Sequence, residues 1–125
     1  MTPPDDPRSL GDLGEDLAVE HLRRRGYRIV ERNYRCRLGE IDCVAIHGRT
    51  LVFLEVKTRA TEVFGGPLEA VDARKRRRLT RLAQYYVREK GVEGVPQRFD
   101  VVAVWMEGGR ARVEVYENAF EALER

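Results

Sequence analysis

The chain has 125 residues, of which 42% are apolar and 35% are charged, and its formal net charge is +2. This length allows one domain with one core, and the composition is typical of a globular protein and excludes a disordered one. No apolar run approaches the roughly 18 residues that a membrane-spanning helix needs, and the first residues do not resemble a secretory signal. Two cysteines, Cys36 and Cys43, are too few for a disulfide framework or a zinc site. We therefore expect reduced thiols, a cytoplasmic location and no membrane partner.

The chain begins with a Pro- and Asp-rich segment, residues 1–8, which we expect to be a flexible tail ahead of a single domain over 9–125. Ser9 can cap a first helix, in which leucine and alanine recur at helical spacing until Gly26. The pattern then changes to that of strands. They are predicted over 27–34, 39–47 and 50–58.

A loop with a Gly-Gly-Pro sequence follows, and then a long helix is predicted from about 68 to 90. Two further strands, "RFDVVAVWM" and "RVEVY", lie on either side of a glycine pair. The "VVAVW" run is apolar on both strand faces, as expected for a central strand covered by helices on both sides. Asn118 and Glu121 have the spacing of a capping box and predict a short last helix. The predicted order is α-β-β-β-α-β-β-α.

The second and third strands meet at "HGRT", where a two-residue loop with Gly first fits a type II′ turn. In that register Asp42 lies directly opposite Glu55, and Glu40 lies directly opposite Lys57. All four side chains share one face of the sheet, because cross-strand partners and residues two apart point the same way.

Two carboxylates directly opposite each other repel and destabilise a hairpin. A divalent cation bound by Asp42 and Glu55 removes the conflict, since hard cations such as Mg²⁺ take carboxylate oxygens. Two alternatives remain: one acid is protonated, or a bulge shifts the register. Glu40 and Lys57 alone could form an ordinary surface ion pair of small energy. We expect Glu40 to support the acidic pair.

Basic residues are concentrated in one segment, residues 71–90, which holds eight of them against two acids. This asymmetry favours a phosphate-rich partner. The alternative is a solvated helix face, which a charge run alone does not exclude. Lys75 differs from its basic neighbours because it falls on the apolar stripe of the predicted helix. It could extend to the acidic pair or to a phosphate, or pass the core with its ammonium group in solvent.

The acidic pair and the lysine resemble a known signature. Asp42, followed after a short hairpin by Glu55, Val56 and Lys57, resembles the core of the PD-(D/E)xK nucleases, although Ile41 stands where that motif has Pro. More closely, most of the chain resembles the YraN family of predicted endonucleases. The matching blocks are, in order, "GEDLAVEHLRRRGYRIVERNYR", "GEID", "LVFLEVKTR", "FGGPLEAVDARKRRRL" and "RFDVVAV". The resemblance implies a single α/β domain with an αβββαβ restriction-endonuclease-like core, in which a mixed central sheet is flanked by helices.

The resemblance also implies a site that holds Mg²⁺ or Mn²⁺ and hydrolyses phosphodiester bonds. Asp42 and Glu55 would bind the cation, the main-chain carbonyl of Val56 would be a further ligand, and Lys57 would assist the attacking water. The YraN family is similar to archaeal Holliday-junction resolvases, whose first helix supplies a glutamate ligand, and Glu15 is the matching residue. On a helical wheel Glu15 borders the apolar stripe, which would point it at the sheet, although a glutamate at such a border can also be solvated.

DNA rather than RNA is the partner that the resemblance implies, with branched or junction DNA as the preferred structure. A homodimer is compatible with it, because resolvase-like enzymes cut paired strands symmetrically. The residues expected to contact phosphates are Arg59, Arg74, Lys75, Arg77, Arg78 and Arg81. For Arg59 a surface role is the alternative. Two other functions stay open, a nucleic-acid-binding module on a nuclease fold with little or no activity, and a protein-interaction factor. The intact set of Asp42, Glu55 and Lys57 favours the enzyme.

Overall fold

The computed structural model of the protein describes residues 9–59 and 71–123. Two helices and five strands follow one another along these residues. They are α1 (Leu10–Arg24), β1 (Tyr27–Cys36), β2 (Gly39–His47), β3 (Thr50–Arg59), α2 (Ala73–Lys90), β4 (Gln97–Glu107) and β5 (Arg110–Phe120). The predicted tail over 1–8 lies outside the described residues.

The strands form one mixed sheet in the order β1-β2-β3-β4-β5. Neighbouring strands are antiparallel except β3 and β4, which run parallel. A tight turn cannot join a parallel pair, and α2 lies in the crossover between these two strands. β1 is two residues longer than predicted, because it pairs with β2 as far as Cys36 opposite Gly39. The predicted α/β fold with a mixed central sheet flanked by helices is confirmed.

Helices cover the sheet on both faces, and the strand residues therefore alternate between two cores. Val44 and Phe53 belong to the core under α2, together with Leu82 of that helix. Their chain neighbours Cys43 and Leu54 face the other way and pack with the apolar residues of α1. The "VVAVW" run of β4 is buried throughout, as predicted for a central strand. No helix within the described part of the chain is long and apolar enough to cross a membrane.

The turn between β2 and β3 has the predicted form. Gly48 has φ +65°, the left-handed value that the first central residue of a type II′ turn needs. The strand pairs run from His47 opposite Thr50 to Cys43 opposite Leu54. This is the predicted register. Continued by one more pair, it places Asp42 opposite Glu55.

α2 begins at Ala73, later than the predicted start. Positions 68–70 lie outside the described residues, and Asp72 is the N-cap of the helix. Its carboxylate accepts the main-chain N–H of Lys75 at 3.0 Å. This bond satisfies one of the free N–H groups of the first turn. The helix ends at Lys90, as predicted.

The predicted last helix is wrong within the described residues. β5 continues to Phe120, and residues 121–123 are irregular. Phe120 stacks on Phe99 of β4 with ring centroids 4.8 Å apart, and the buried Asp100 carboxylate accepts the main-chain N–H of Asn118 at 2.9 Å. Packing on the sheet therefore outweighs the local helix-capping signal.

Asp100 is the centre of a polar cluster near the turn between β2 and β3. Arg98 donates to both of its carboxylate oxygens, and the hydroxyl of Tyr27 donates to one of them at 2.8 Å. The same guanidinium lies 2.9 Å from Nδ1 of His47, whose ring stacks on Tyr27. Both oxygens of this buried acid are hydrogen-bonded, so the cluster ties the strand ends together and needs no further ligand.

Candidate active site

A cleft of about 380 Å³ opens beside the first turns of α1 and the ends of β2 and β3 that lie away from their turn. The predicted site residues that line it are Glu15, Glu40, Asp42, Val56, Lys57 and Arg59. A larger cavity of about 630 Å³ lies between α2 and the ends of β4 and β5, and it contains none of the predicted site residues. The smaller cleft is therefore the candidate site, because the titratable groups that suit catalysis lie there.

α1 approaches this cleft closely because it has a glycine where it crosses β3. A Cβ atom built on Gly14 would overlap the side chain of Thr58, so a larger residue there would push the helix away from the strand. Gly14 is itself buried. The residue that follows it, Glu15, lines the cleft.

Asp42 is half-buried in the cleft, and its Oδ2 atom accepts the main-chain N–H of Val56 at 2.8 Å. Burial and the charge of Glu55 raise the pKa of Asp42 to about 7, with a smaller contribution from Glu15. The hydrogen bond from Val56 lowers this pKa and offsets only part of the rise. The expected repulsion between the acids is therefore present, and protonation of Asp42 is one way in which the protein relieves it.

Glu55 is 6% exposed and lies between two ammonium groups. Its Oε2 atom is 3.1 Å from Nζ of Lys57 and 2.5 Å from Nζ of Lys75. Lys57 comes from the same strand, as predicted, whereas Lys75 comes from the first turn of α2. Burial lowers the pKa of Lys75, but the hydrogen bond to Glu55 and the charge of Glu55 outweigh it and raise that pKa overall. The sequence left open where the ammonium group of Lys75 lies, and the structure places it beside the acidic pair.

Glu15 is held by two residues of β1 that the sequence did not single out. Its Oε1 atom accepts hydrogen bonds from Nδ2 of Asn33 at 2.8 Å and from the guanidinium of Arg32 at 3.3 Å. Its side chain is 15% exposed, so it faces the sheet rather than the solvent. Asn33 has φ +54°, a left-handed value that asparagine adopts more readily than most residues. An asparagine inside a predicted strand was the available signal for this irregularity.

Glu40 pairs with Arg35 rather than with Lys57. Its Oε2 atom is 3.0 Å from Nε of Arg35, which β1 places directly opposite it. Lys57 contacts Glu55 instead, and a more buried carboxylate is the stronger partner because water screens it less. Glu40 therefore lines the cleft with its carboxylate bound to Arg35, and the possible ion pair with Lys57 is not the one that forms.

The acids do not form a ready-made metal cluster. Among residues 9–59 and 71–123, no three side chains of His, Cys, Asp or Glu are grouped so that they could hold a metal ion. Asp42 and Glu15 line the cleft, whereas Glu55 is buried next to Asp42, and the charges of both glutamates raise the pKa of Asp42. The oxygens of these acids are engaged by N–H groups and ammonium groups of the protein itself.

α2 presents most of its basic residues to the solvent. Those that were predicted to contact phosphates and are exposed are Arg74, Arg77, Arg78 and Arg81. Arg78 extends along the start of β2, since its Cδ atom lies 3.6 Å from the position that a Cβ atom would take at Gly39. Arg59, at the end of β3, donates to the carbonyl of Thr58 at 3.1 Å and lines the cleft. Basic groups of α2 and β3 therefore border the end of the hairpin that carries the acids.

Comparisons with known proteins place all the predicted site residues of the cleft inside one family match. The family model described as "Uncharacterised protein family UPF0102" matches residues 14–104. A UPF0102 protein of Moorella thermoacetica is 54% identical over 115 residues, which cover 90% of this chain and 96% of the relative. Another, of Caldicellulosiruptor saccharolyticus, is 50% identical over 99 residues, covering 79% and 84% of the two chains. A third, of Syntrophotalea carbinolica, is 48% identical over 113 residues, covering 90% and 92%.

Proposed function

The chain belongs to the UPF0102 family, the YraN-like family that its sequence resembles, and we propose that it is a metal-dependent endonuclease that hydrolyses phosphodiester bonds in DNA. One observation carries the proposal: Asp42 and Lys57 line one cleft and both interact with Glu55. Lys57 forms an ion pair with Glu55, and the charge of Glu55 raises the pKa of Asp42. These are the residue types of the PD-(D/E)xK nucleases, on the two strands that the resemblance implies. Selectivity for branched or junction DNA is the finer form of the proposal.

The donors of the cleft fit Mg²⁺ or Mn²⁺ in kind. Asp42 and Glu55 supply carboxylate oxygens, the main-chain carbonyl of Val56 is a further oxygen donor, and Glu15 is close to them. Hard divalent cations prefer such ligands. Burial is the largest cause of the raised pKa of Asp42 and the charge of Glu55 is the next, and a cation between the two acids would relieve the repulsion between them. When bound, the cation would lower the pKa of a water molecule and stabilise charge on the phosphate.

The position of Lys57 supports a role in assisting the attack. Its side chain is 17% exposed and its Nζ atom lies beside the acidic pair, where an ammonium group can orient a water molecule and face the phosphoryl oxygens. The hydrogen bond from Val56 holds the Asp42 carboxylate in one orientation. Groups that are already oriented need little rearrangement when charge develops in the transition state.

The exposed arginines of α2 support nucleic acid as the substrate. Arg78 extends along the start of β2, and Arg59 lines the cleft, so a phosphate backbone bound by these residues would pass the acidic pair. Contacts of arginine with phosphates carry no sequence information. They suit an enzyme that recognises the shape of DNA rather than its base sequence.

A nucleic-acid-binding module without catalytic activity is the second candidate. The observation that favours it is the pair of ammonium groups on Glu55, because Lys57 and Lys75 balance the charges of the two acids without any cation. In a binding module the two lysines would balance the two acids permanently, whereas in the enzyme a bound cation would have to disturb this charge balance.

The experiment that separates the two candidates is a cleavage assay on labelled DNA. Branched, flapped, single-stranded and duplex substrates are incubated with the full-length protein and Mg²⁺ or Mn²⁺. We expect cleavage that is lost in Asp42→Asn and retained in Glu107→Gln, an exposed carboxylate on β4 that serves as the matched control. Tight, salt-dependent binding of DNA without cleavage of any substrate would favour the binding module instead.

A further inference from the structure

Lys75 is the one basic residue predicted to contact phosphates that α2 directs at the acidic pair. It lies in the first turn of the helix, where its own N–H is bonded to the N-cap Asp72. Its side chain is half-buried, whereas the neighbouring Arg74 and Arg77 are exposed. Its Nζ atom is 2.5 Å from Oε2 of Glu55. α2 therefore brings one ammonium group to the acidic pair while it presents Arg74 and Arg77 to the solvent.

Glu55 holds two ammonium groups on one carboxylate oxygen, and together they balance the charges of Asp42 and Glu55. Lys57 lies on the same strand as Glu55 and is already within 3.1 Å of that oxygen. The charge of Lys75 completes this balance while no cation is bound. Once Glu55 shares its charge with a divalent cation, both ammonium groups face an excess of positive charge in a partly buried site. A further anion would stabilise such an arrangement.

A phosphodiester is an anion with the right charge. Its phosphate group carries one negative charge as bound substrate and approaches two in the transition state of hydrolysis. The proposed cation together with Lys57 and Lys75 matches that increase. The exposed arginines on the same helix would hold the neighbouring phosphates, so the substrate would lie along α2 when it meets Lys75.

We infer that Lys75 exchanges partners: its ammonium group contacts Glu55 until Glu55 holds a cation, and it then contacts a phosphate oxygen of the substrate. Lys75 is thus a substrate-binding residue beside the acidic pair and not only a structural counter-ion of Glu55. The inference rests on the proposed function for the identity of the substrate. Its two parts, the competition at Glu55 and the phosphate contact, can each be measured without cleavage.

The first measurement is the affinity for Mn²⁺ in the absence of nucleic acid. Lys75→Met removes the ammonium group and keeps a chain of similar length, so Mn²⁺ no longer competes with it at Glu55. Calorimetric titration should show binding that is at least about fivefold tighter than that of the wild type, because a neighbouring like charge is removed. Lys90→Met is the matched control, since Lys90 lies at the exposed end of the same helix and should leave the affinity unchanged.

The second measurement uses DNA without any divalent cation. Glu55→Gln releases Lys75 by removing the carboxylate charge, so the ammonium group becomes available to a phosphate. The slope of log K against log[salt] should then steepen by about 0.9 for each additional phosphate of duplex DNA that the protein neutralises. In the double variant Glu55→Gln/Lys75→Met the slope should fall back by about 0.9, and in Glu55→Gln/Lys90→Met it should not. Thermal unfolding of the double variant verifies that it is folded.

Both results are required. An unchanged Mn²⁺ affinity in Lys75→Met, or equal salt slopes for Glu55→Gln and Glu55→Gln/Lys75→Met, would overturn the inference and leave Lys75 as a structural counter-ion. The outcome does not depend on cleavage. If the wild type cuts no DNA but both results hold, the proposed nuclease activity fails and the exchange by Lys75 stands. If the wild type cuts DNA and either result fails, the proposed nuclease activity stands and the exchange by Lys75 fails.

Discussion

The carboxylate of Asp42 accepts the main-chain N–H of Val56 at 2.8 Å, just beyond the last main-chain pair of β2 and β3, Cys43 opposite Leu54. A side chain thus takes the place of a main-chain partner on the neighbouring strand. The bond holds Asp42 next to Glu55 in spite of the repulsion between them. The hairpin therefore holds two acids together and one of them has a raised pKa, and such perturbed pKa values are concentrated at functional sites.

Replacement of Asp42 by Asn should stabilise the protein at neutral and higher pH in the presence of a chelator. The ordinary pKa of the carboxyl group is 3.8 and the folded protein raises it to about 7, so the folded state binds the proton more tightly than the unfolded state. This stabilisation is complete below about pH 4 and is lost as the pH rises through 7. Asn keeps the hydrogen bond from Val56 without the charge. At about pH 8 the melting temperature should rise by about 4 °C, the effect of about 1 kcal/mol.

Thermal unfolding as a function of pH checks this prediction. The difference between Asp42→Asn and the wild type should shrink towards zero as the pH falls to about 4, because both side chains are then neutral. Glu107→Gln, at an exposed position, should show no such trend. A lower melting temperature for Asp42→Asn at pH 8 would show that the charged carboxylate is needed for folding.

Two glycines of α1 should respond in opposite ways to alanine. Gly14→Ala introduces a methyl group that overlaps the side chain of Thr58, and such overpacking typically costs about 1–3 kcal/mol. Gly11→Ala is the matched control, because the nearest atom to its Cβ is 3.9 Å away, and alanine there should stabilise the helix by up to about 1 kcal/mol. Urea unfolding measures both effects. If Gly14→Ala is as stable as the wild type, α1 does not pack on β3 as closely as described.

The turn and the register of the central hairpin could be predicted because both depend on local rules. A glycine in the first central position selects the turn, and the turn determines every pair along the two strands. The face shared by Asp42, Glu55 and Lys57 follows from the alternation of side chains. These features require no knowledge of how distant segments dock.

The partners of the acids could not be predicted in this way, because they depend on how other elements pack on the hairpin. Lys75 contacts Glu55 through the docking of α2, and the apolar stripe showed only that it faces inwards. Arg35 pairs with Glu40 because β1 adds to the sheet beside β2. The prediction of a last helix failed for the same reason, since the packing of Phe120 on the sheet outweighed a local capping signal.

The two cysteines should differ strongly in reactivity. Burial raises the pKa of the Cys43 thiol to about 12, so almost none of it is ionised at neutral pH, whereas Cys36 is partly exposed. Alkylation of the native protein should therefore modify Cys36, and modification of Cys43 should be slower by about 1,000-fold or more. Mass spectrometry of the modified peptides tests this, with denatured protein as the control in which both thiols react. Rapid native labelling in Cys36→Ser would contradict the burial of Cys43 between the sheet and α1.

The exposed arginines of α2 should determine how strongly DNA binding depends on salt. Replacing Arg77, Arg78 and Arg81 with alanine should weaken binding and reduce the slope of log K against log[salt] by about 0.9 for each phosphate of duplex DNA that is no longer neutralised. Arg76→Ala is a poor control, because that guanidinium is bonded to the carbonyl of Val71 and supports the fold. Arg88→Ala, exposed in the last turn of α2, is the better one and should leave the slope unchanged. An equal slope for the triple variant would identify the basic run as a solvated helix face.

Lys57 should affect the chemical step much more than the binding of substrate. An ammonium group that faces the phosphoryl oxygens stabilises the transition state more than the bound substrate, and only such a difference changes the rate of the step. Lys57→Ala should therefore reduce single-turnover cleavage by about a hundredfold or more, the usual effect of losing one such donor. The melting temperature should change little, because Lys75 remains within 2.5 Å of the Glu55 carboxylate.

Two further variants distinguish catalysis from a role in the ion pair alone. Lys57→Arg keeps the charge but replaces a compact ammonium with a planar guanidinium, and it should restore little of the activity. Glu40→Gln should cleave DNA at the rate of the wild type, because Glu40 pairs with Arg35 and not with Lys57. Normal cleavage by Lys57→Ala would remove Lys57 from the mechanism, and a loss of DNA affinity equal to the loss of rate would show that it only binds the substrate.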